Sequence, residues 1–175
     1  MARIMCTQNF WRALRRSGRP PVQVDEPLVQ DAILGNWAAK VFKVDGRDLV
    51  LALNERTYLT VVFPLAPRDG FRSRFGEAVR TALQDLGVPL HSRVAESSAV
   101  EIQPLARLTD RSLVSVLNDL QFFCEIELGY HADLRTVQYN LNQAPHAGLS
   151  PCVPAEAVAE LFDGVSGRGA VLLKH

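Results

Sequence analysis

The chain has 175 residues, 47% apolar and 22% charged, a balance that excludes whole-chain disorder. Nineteen basic residues against nineteen acidic ones leave a formal charge of zero, so bulk electrostatics offers no long-range pull toward nucleic acid or acidic membranes. A globule of this length buries about 70% of its unfolded surface and needs no disulfide or metal staple to fold.

Arg3 to Cys6 reads as a short opening strand. Thr7 is placed to cap a helix running to about Arg16, with Phe10, Trp11 and Leu14 on one side. Ser17-Gly18 ends it, and Arg19-Pro20-Pro21 demands an extended linker. Beyond the linker Val22 and Val24 alternate, while Leu28 to Leu34 suit one or two helical turns after Pro27.

The stretch Trp37 to Leu65 holds three β-rich runs with almost no filler. Asp45-Gly46 is a two-residue hairpin signal, because a type I′ turn needs positive φ at both central residues. It sets Val44 opposite Arg47, Phe42 opposite Leu49 and Val41 opposite Val50. Trp37, Ala39, Val41, Val50 and Ala52 then share one face, and Ala38, Phe42, Val44, Leu49, Leu51 and Leu53 the other. With both faces apolar, the ribbon should be covered on both sides. Asn54 to Thr57 forms a second turn and Tyr58 to Leu65 a third strand.

Phe71, Phe75, Val79, Leu83 and Leu86 recur at helical spacing until Gly87 and Pro89 stop them. Val100 to Leu105 suggests a further strand. Thr109-Asp110 caps the longest helix, along which Leu113, Leu117, Leu120, Cys124 and Leu128 trace a stripe to Gly129. Leu134, Val137 and Leu141 indicate a helix ended by Pro145. Pro154 opens a closing helix through Val158, Leu161 and Phe162. The expected organisation is one α+β domain over residues 1–163, with an antiparallel sheet of four to five strands, a central meander and helices packed on it. A Gly-rich tail over 164–175 follows.

No arrangement of residues announces a reaction. Gly164, Gly167 and Gly169 follow a helix, whereas a phosphate loop needs a strand before it and a helix N-terminus after it. The histidines His91, His131, His146 and His175 lack the local pairing of a metal site, and Ser166 lacks the context of a nucleophile elbow. Glu125 and Glu127 fall on different sides of a helix. Cys6 lies where a helix N-terminus can activate a thiol, although a buried small hydrophobe is the preferred reading. Trp11 among Arg12, Arg15 and Arg16 resembles a nucleic-acid patch, but a solvated helix face explains the same letters. Cys6, Cys124 and Cys152 are odd in number and widely spaced, which suits a reducing cytoplasm. No apolar run approaches the roughly 20 residues of a membrane span. The acid-free start before Asp25 lacks the apolar core of a secretory signal.

The polar residues in the strongest contexts are Asn54 and Arg56 at the sheet turn, and Arg111 and Asn118 seven apart on one face of the long helix. They define a candidate polar site, with satisfaction of backbone carbonyls as the alternative role. Together with Cys6-Thr7, Trp37, Asn54 to Tyr58, Arg111-Ser112 through Asn118-Asp119, and Asn142 to Pro145, the chain resembles the domain of unknown function 6933 family over about residues 3 to 163. It departs at Trp37-Ala38-Ala39, where the family pattern has Trp-His-Ala-Asn. The resemblance implies a bacterial domain carried by plasmids and mobile elements, with no established activity, cofactor or catalytic residue. The leading expectation is a cytoplasmic, non-enzymatic binding or regulatory module that contacts protein, itself or another, with no cofactor, metal or membrane. The alternatives are a small-molecule or nucleotide-binding protein or enzyme using Asn54, Arg56, Arg111 and Asn118, and nucleic-acid binding through the N-terminal arginines.

Overall fold

A computed structural model describes residues 2–15 and 32–171. The expected Pro-Pro linker, the Val22/Val24 alternation, most of the Leu28–Leu34 turns, Arg16 and Arg19 lie outside the described residues. The elements in order are β1 (Ile4–Cys6), α1 (Gln8–Arg15), β2 (Trp37–Val44), β3 (Arg47–Asn54), β4 (Thr60–Pro64), α2 (Phe71–Asp85), α3 (Leu90–Ile102), β5 (Leu105–Arg107), α4 (Arg111–Tyr130), α5 (Leu134–Gln143) and α6 (Pro154–Val171).

The central hairpin forms in the expected register, with Val44 against Arg47, Phe42 against Leu49 and Val41 against Val50. Asp45 and Gly46 take φ of 48° and 77°, the pair of positive values that the tight turn requires. β4 continues the meander, pairing antiparallel with β3 from Leu53–Thr60 to Leu49–Pro64.

The sheet is α+β in setting and has five strands in the order β4-β3-β2-β1-β5, but it is mixed rather than antiparallel. β1 lies parallel to both β2 and β5, with Cys6 beside Ala39 on one side and Arg107 on the other. Each of those two pairings involves three residues, too few to carry a periodic signal. Parallel neighbours also need a crossover connection, and α1 lies within the one between β1 and β2.

Three further corrections follow. Val100 belongs to α3, and the fifth strand starts only at Leu105. α6 continues through Gly164 to Val171, where a helix stop and tail were expected. Thr7 precedes α1 and its carbonyl accepts from the Trp11 N–H at 2.8 Å, yet its hydroxyl has no hydrogen-bond partner.

Two cores flank the sheet, as the doubly apolar ribbon requires. One joins Ile4, Cys6, Trp37, Ala39, Val50, Ala52, Val61 and Phe63 to α1, α2, α3 and α6. At its centre Trp37 meets Phe75 edge-on at 5.2 Å between ring centroids, and Phe75 stacks on Phe63 at 5.3 Å. The other joins Ala38, Phe42, Leu49, Leu51, Leu53 and Val62 to the stripe Leu113, Leu117, Leu120 and Cys124 of α4 and to Val137 and Leu141 of α5. Asp110 caps α4, its Oδ1 accepting from the Ser112 N–H at 2.8 Å and the Ser112 hydroxyl at 2.6 Å. Those two bonds hold its carboxyl below the usual range.

Candidate functional site

Asn54 is the hub of the irregular segment Ile33–Asn36 that leads into β2. Its Oδ1 accepts from the Arg56 and Thr57 N–H groups and the Thr57 hydroxyl, at 3.0–3.1 Å, which closes the turn after β3. Its Nδ2 donates to the Leu34 and Asn36 carbonyls, both at 3.0 Å. Arg56 donates to the Ile33 carbonyl at 3.0 Å and Gln103 to the Gly35 carbonyl at 3.3 Å. From α3 the buried Glu96 carboxylate accepts from the Ile33 N–H at 2.5 Å and the Leu34 N–H at 3.3 Å. A partly buried, irregular backbone cannot satisfy itself, and here side chains from separate parts of the chain do it. An open cleft of about 440 Å³ lies beside Ile33–Asn36, Glu55 and Arg56, but the polar atoms of Asn54 are already engaged.

Arg111 and Asn118 stand elsewhere. Asn54 pairs with Trp37 and shares its face of the sheet. Asn118 accepts from Lys40 Nζ at 2.7 Å, and Lys40 alternates onto the opposite face with Ala38 and Phe42. Arg111 is exposed at the start of α4. The four residues therefore do not converge on one pocket, because the sheet lies between the two pairs.

A second polar device, unrecognised in the sequence, protects the edge strand. Among the described residues β4 has a sheet neighbour only in β3. On its open side Asn142 of α5 accepts from the Thr60 N–H and donates to the Thr60 carbonyl, both at 2.8 Å. Gln138, one turn earlier, accepts from the Val62 N–H at 3.1 Å. Two amide side chains four apart on a helix thus occupy hydrogen-bonding groups two apart on a strand.

The surface cleft with the least evident structural duty lies between α4 and the loop after α5. It measures about 470 Å³ and is lined by Tyr58, Val116, Asp119, Phe122, Phe123 and His146, among others. Tyr58 holds φ of 55°, a left-handed conformation that a bulky side chain adopts at a cost. Its ring meets His146 edge-on at 5.8 Å. His146 Nε2 is buried without a protein partner, and burial pushes the imidazole's pKa down. Phe122 and Phe123 are 61% and 53% exposed, and along the same helix Ile126 and Tyr130 are 41% and 81% exposed. The signal for this face was legible: the stripe through Leu113, Leu117, Leu120 and Cys124 uses the inward side of α4, so the adjacent phenylalanines must face out.

The remaining candidates have structural surroundings. Cys6 is buried, and burial pushes its thiol up to about 12 despite the nearby Arg72 guanidinium. Arg15 stacks over the Trp11 ring of its own helix at 5.9 Å. Among the described residues no three His, Cys, Asp or Glu side chains group as metal ligands, and no helix is long and apolar enough to cross a membrane.

No curated protein matches the chain. Residues 3–157 match the family described as Domain of unknown function (DUF6933), and the quoted motifs fall within that span as the cap of α4, the Asn54 hub and the Asn142 clamp. With most of its length covered by that match, the chain belongs to the DUF6933 family.

Proposed function

We propose that this protein is a cytoplasmic, non-enzymatic binding module that acts through protein contacts, with the outer face of α4 as its contact surface. The observation that carries the reading is the exposure of Phe122, Phe123, Ile126 and Tyr130 on one helix whose opposite side is already packed on the sheet. Large aromatic side chains left in water cost free energy that a partner recovers by covering them. Aromatic residues are also enriched at protein interfaces. The polar-pocket alternative draws less support, since Asn54 and Arg56 are engaged with Ile33–Asn36 and the sheet separates them from Arg111 and Asn118. Nucleic-acid binding draws less support too, as Arg15 rests on Trp11.

A photo-crosslinking residue placed at Phe123, compared with one at Arg80 on α2, tests the surface in the native cell. The expected result is a discrete protein adduct from position 123 alone, lost when Phe122→Ser and Ile126→Ser are added. Equal adducts from both positions, or none from 123, reject the reading.

A further inference from the structure

Several independent irregularities meet in the cleft beside α4. Tyr58 is held in a left-handed backbone conformation, His146 keeps a buried ring nitrogen without a protein partner, and two exposed phenylalanines form part of the wall. The fourth is Asp119. The other carboxylates of α4 are engaged: Glu125 accepts from Gln121 at 2.7 Å, and Glu127 accepts from Asn140 at 2.6 Å. The Asp119 carboxylate has neither a hydrogen bond nor an ion pair among the described residues, and no lysine or arginine lines the cleft. A lone carboxylate among aromatic rings is matched by a cation, which gains from the charge and from the ring faces together. An anion would be repelled, and a purely apolar partner would strip Asp119 of water without replacing its hydrogen bonds.

We infer that this cleft receives a basic side chain, best an arginine, from a partner protein whose neighbouring apolar residues lie along Phe122, Ile126 and Tyr130. The guanidinium is flat, weakly hydrated and able to stack on an aromatic face while bonding a carboxylate, which suits this wall better than a compact ammonium. The inference rests on the α4 face being the contact surface, and it names what that surface recognises. A second copy is a poorer occupant. If α4 paired antiparallel with its own copy so that Arg111 met Asp119, the symmetry centre would fall at residue 115. Phe122, Ile126 and Tyr130 would then face positions 108, 104 and 100, beyond the partner helix.

The test uses n-butylguanidinium, its neutral isostere n-butylurea, and a twelve-residue amidated peptide with one arginine among leucines and serines, followed by amide NMR on the full chain. Butylguanidinium should shift the resonances of Asp119, Phe122, Phe123 and His146, and butylurea at equal concentration should not. Asp119→Asn, an exposed substitution that leaves the core intact, should weaken binding about tenfold, the loss of one charge-assisted contact. Equal shifts with butylurea, no shift with butylguanidinium, or unchanged affinity in Asp119→Asn overturns the cation site. The peptide should bind at least about tenfold tighter than butylguanidinium, with the gain lost in Ile126→Ser and Tyr130→Ser, since adjoining apolar contacts add to the same binding event. A peptide with no such gain means that the cleft takes a free organic cation and overturns the partner. A dimer in sedimentation velocity that dissolves in Asp119→Asn overturns the choice of a different protein. If position 123 crosslinks a protein while butylguanidinium fails, the contact surface stands and the cation site alone falls.

Discussion

Glu96 is a charged residue at a position that helix periodicity would fill with an aliphatic one. It is 1% exposed, and burial raises its carboxyl from 4.5 to about 7 although the Ile33 and Leu34 N–H groups pull the other way. The folded chain therefore holds this proton more tightly than the unfolded chain does. Stability contributed here is greatest below about pH 4.5, declines as the pH rises to about 7, and is level above that. The decline attributable to this group is on the order of 3 kcal/mol. Urea unfolding at pH 5 and pH 8 should show a smaller difference in Glu96→Gln than in the parent chain, because the amide still accepts from both N–H groups and does not titrate.

Asn54 presents the complementary case, a neutral side chain with three accepted and two donated hydrogen bonds. Asn54→Ala should cost about 2–4 kcal/mol, since it leaves buried backbone groups unpaired. Asn54→Asp should not restore it, because a carboxylate cannot donate to the Leu34 and Asn36 carbonyls. Recovery of full stability in Asn54→Asp by chemical denaturation would remove the hub role.

Among the elements, β4 and α3 are stabilised by contacts that no local pattern announces. The Asn142 clamp replaces a missing sixth strand at β4, so Asn142→Leu should leave Thr60 unpaired and cost about 2–4 kcal/mol. It should also speed concentration-dependent aggregation, because an open strand edge invites pairing with another chain. A variant as stable and as soluble as the parent would show the clamp to be dispensable. Where α2 and α3 approach closely, a Cβ at Gly76 would sit 3.0 Å from the Ser97 carbonyl and 2.5 Å from Glu101 Oε1. Glu101 is exposed and its side chain can swing away, whereas relieving the Ser97 carbonyl contact requires the α3 backbone itself to shift by a few tenths of an ångström. Gly76→Ala should therefore lower the thermal midpoint despite alanine's higher helix propensity, by an amount equivalent to about 1–3 kcal/mol.

On the scale of the whole molecule, one sheet carries two cores, and each contains a cysteine that reports on it. Cys6 lies on the α2 side and Cys124 on the α4 side, while Cys152 is exposed. Burial pushes both core thiols up to about 12. A thiol reagent should label Cys152 in the native protein and reach Cys6 and Cys124 only on unfolding. Because the two cores share the strands between them, both should become reactive at the same denaturant concentration. Separate transitions would mean that the layers open independently.

The hairpin and its register, the two apolar faces of the ribbon, and α2, α4 and α5 were legible without coordinates. Each rests on a local rule, a turn that needs positive φ or a spacing of apolar residues, which acts over a few residues whatever surrounds them. The parallel pairings of β1 were not legible, because strands of three residues acquire partners only from contacts far apart in sequence. α3 was obscured for a related reason: it buries Glu96 while leaving Leu90 and Val94 in water, so its letters contradict its faces. The tertiary structure alone settled that Asn54 and Arg111 stand on opposite sides of the sheet, and that Tyr58, Asp119 and His146 line one cleft. Local chemistry determines which element a segment forms; which side chains meet depends on how the layers stack, and that is decided by burial summed over the whole chain.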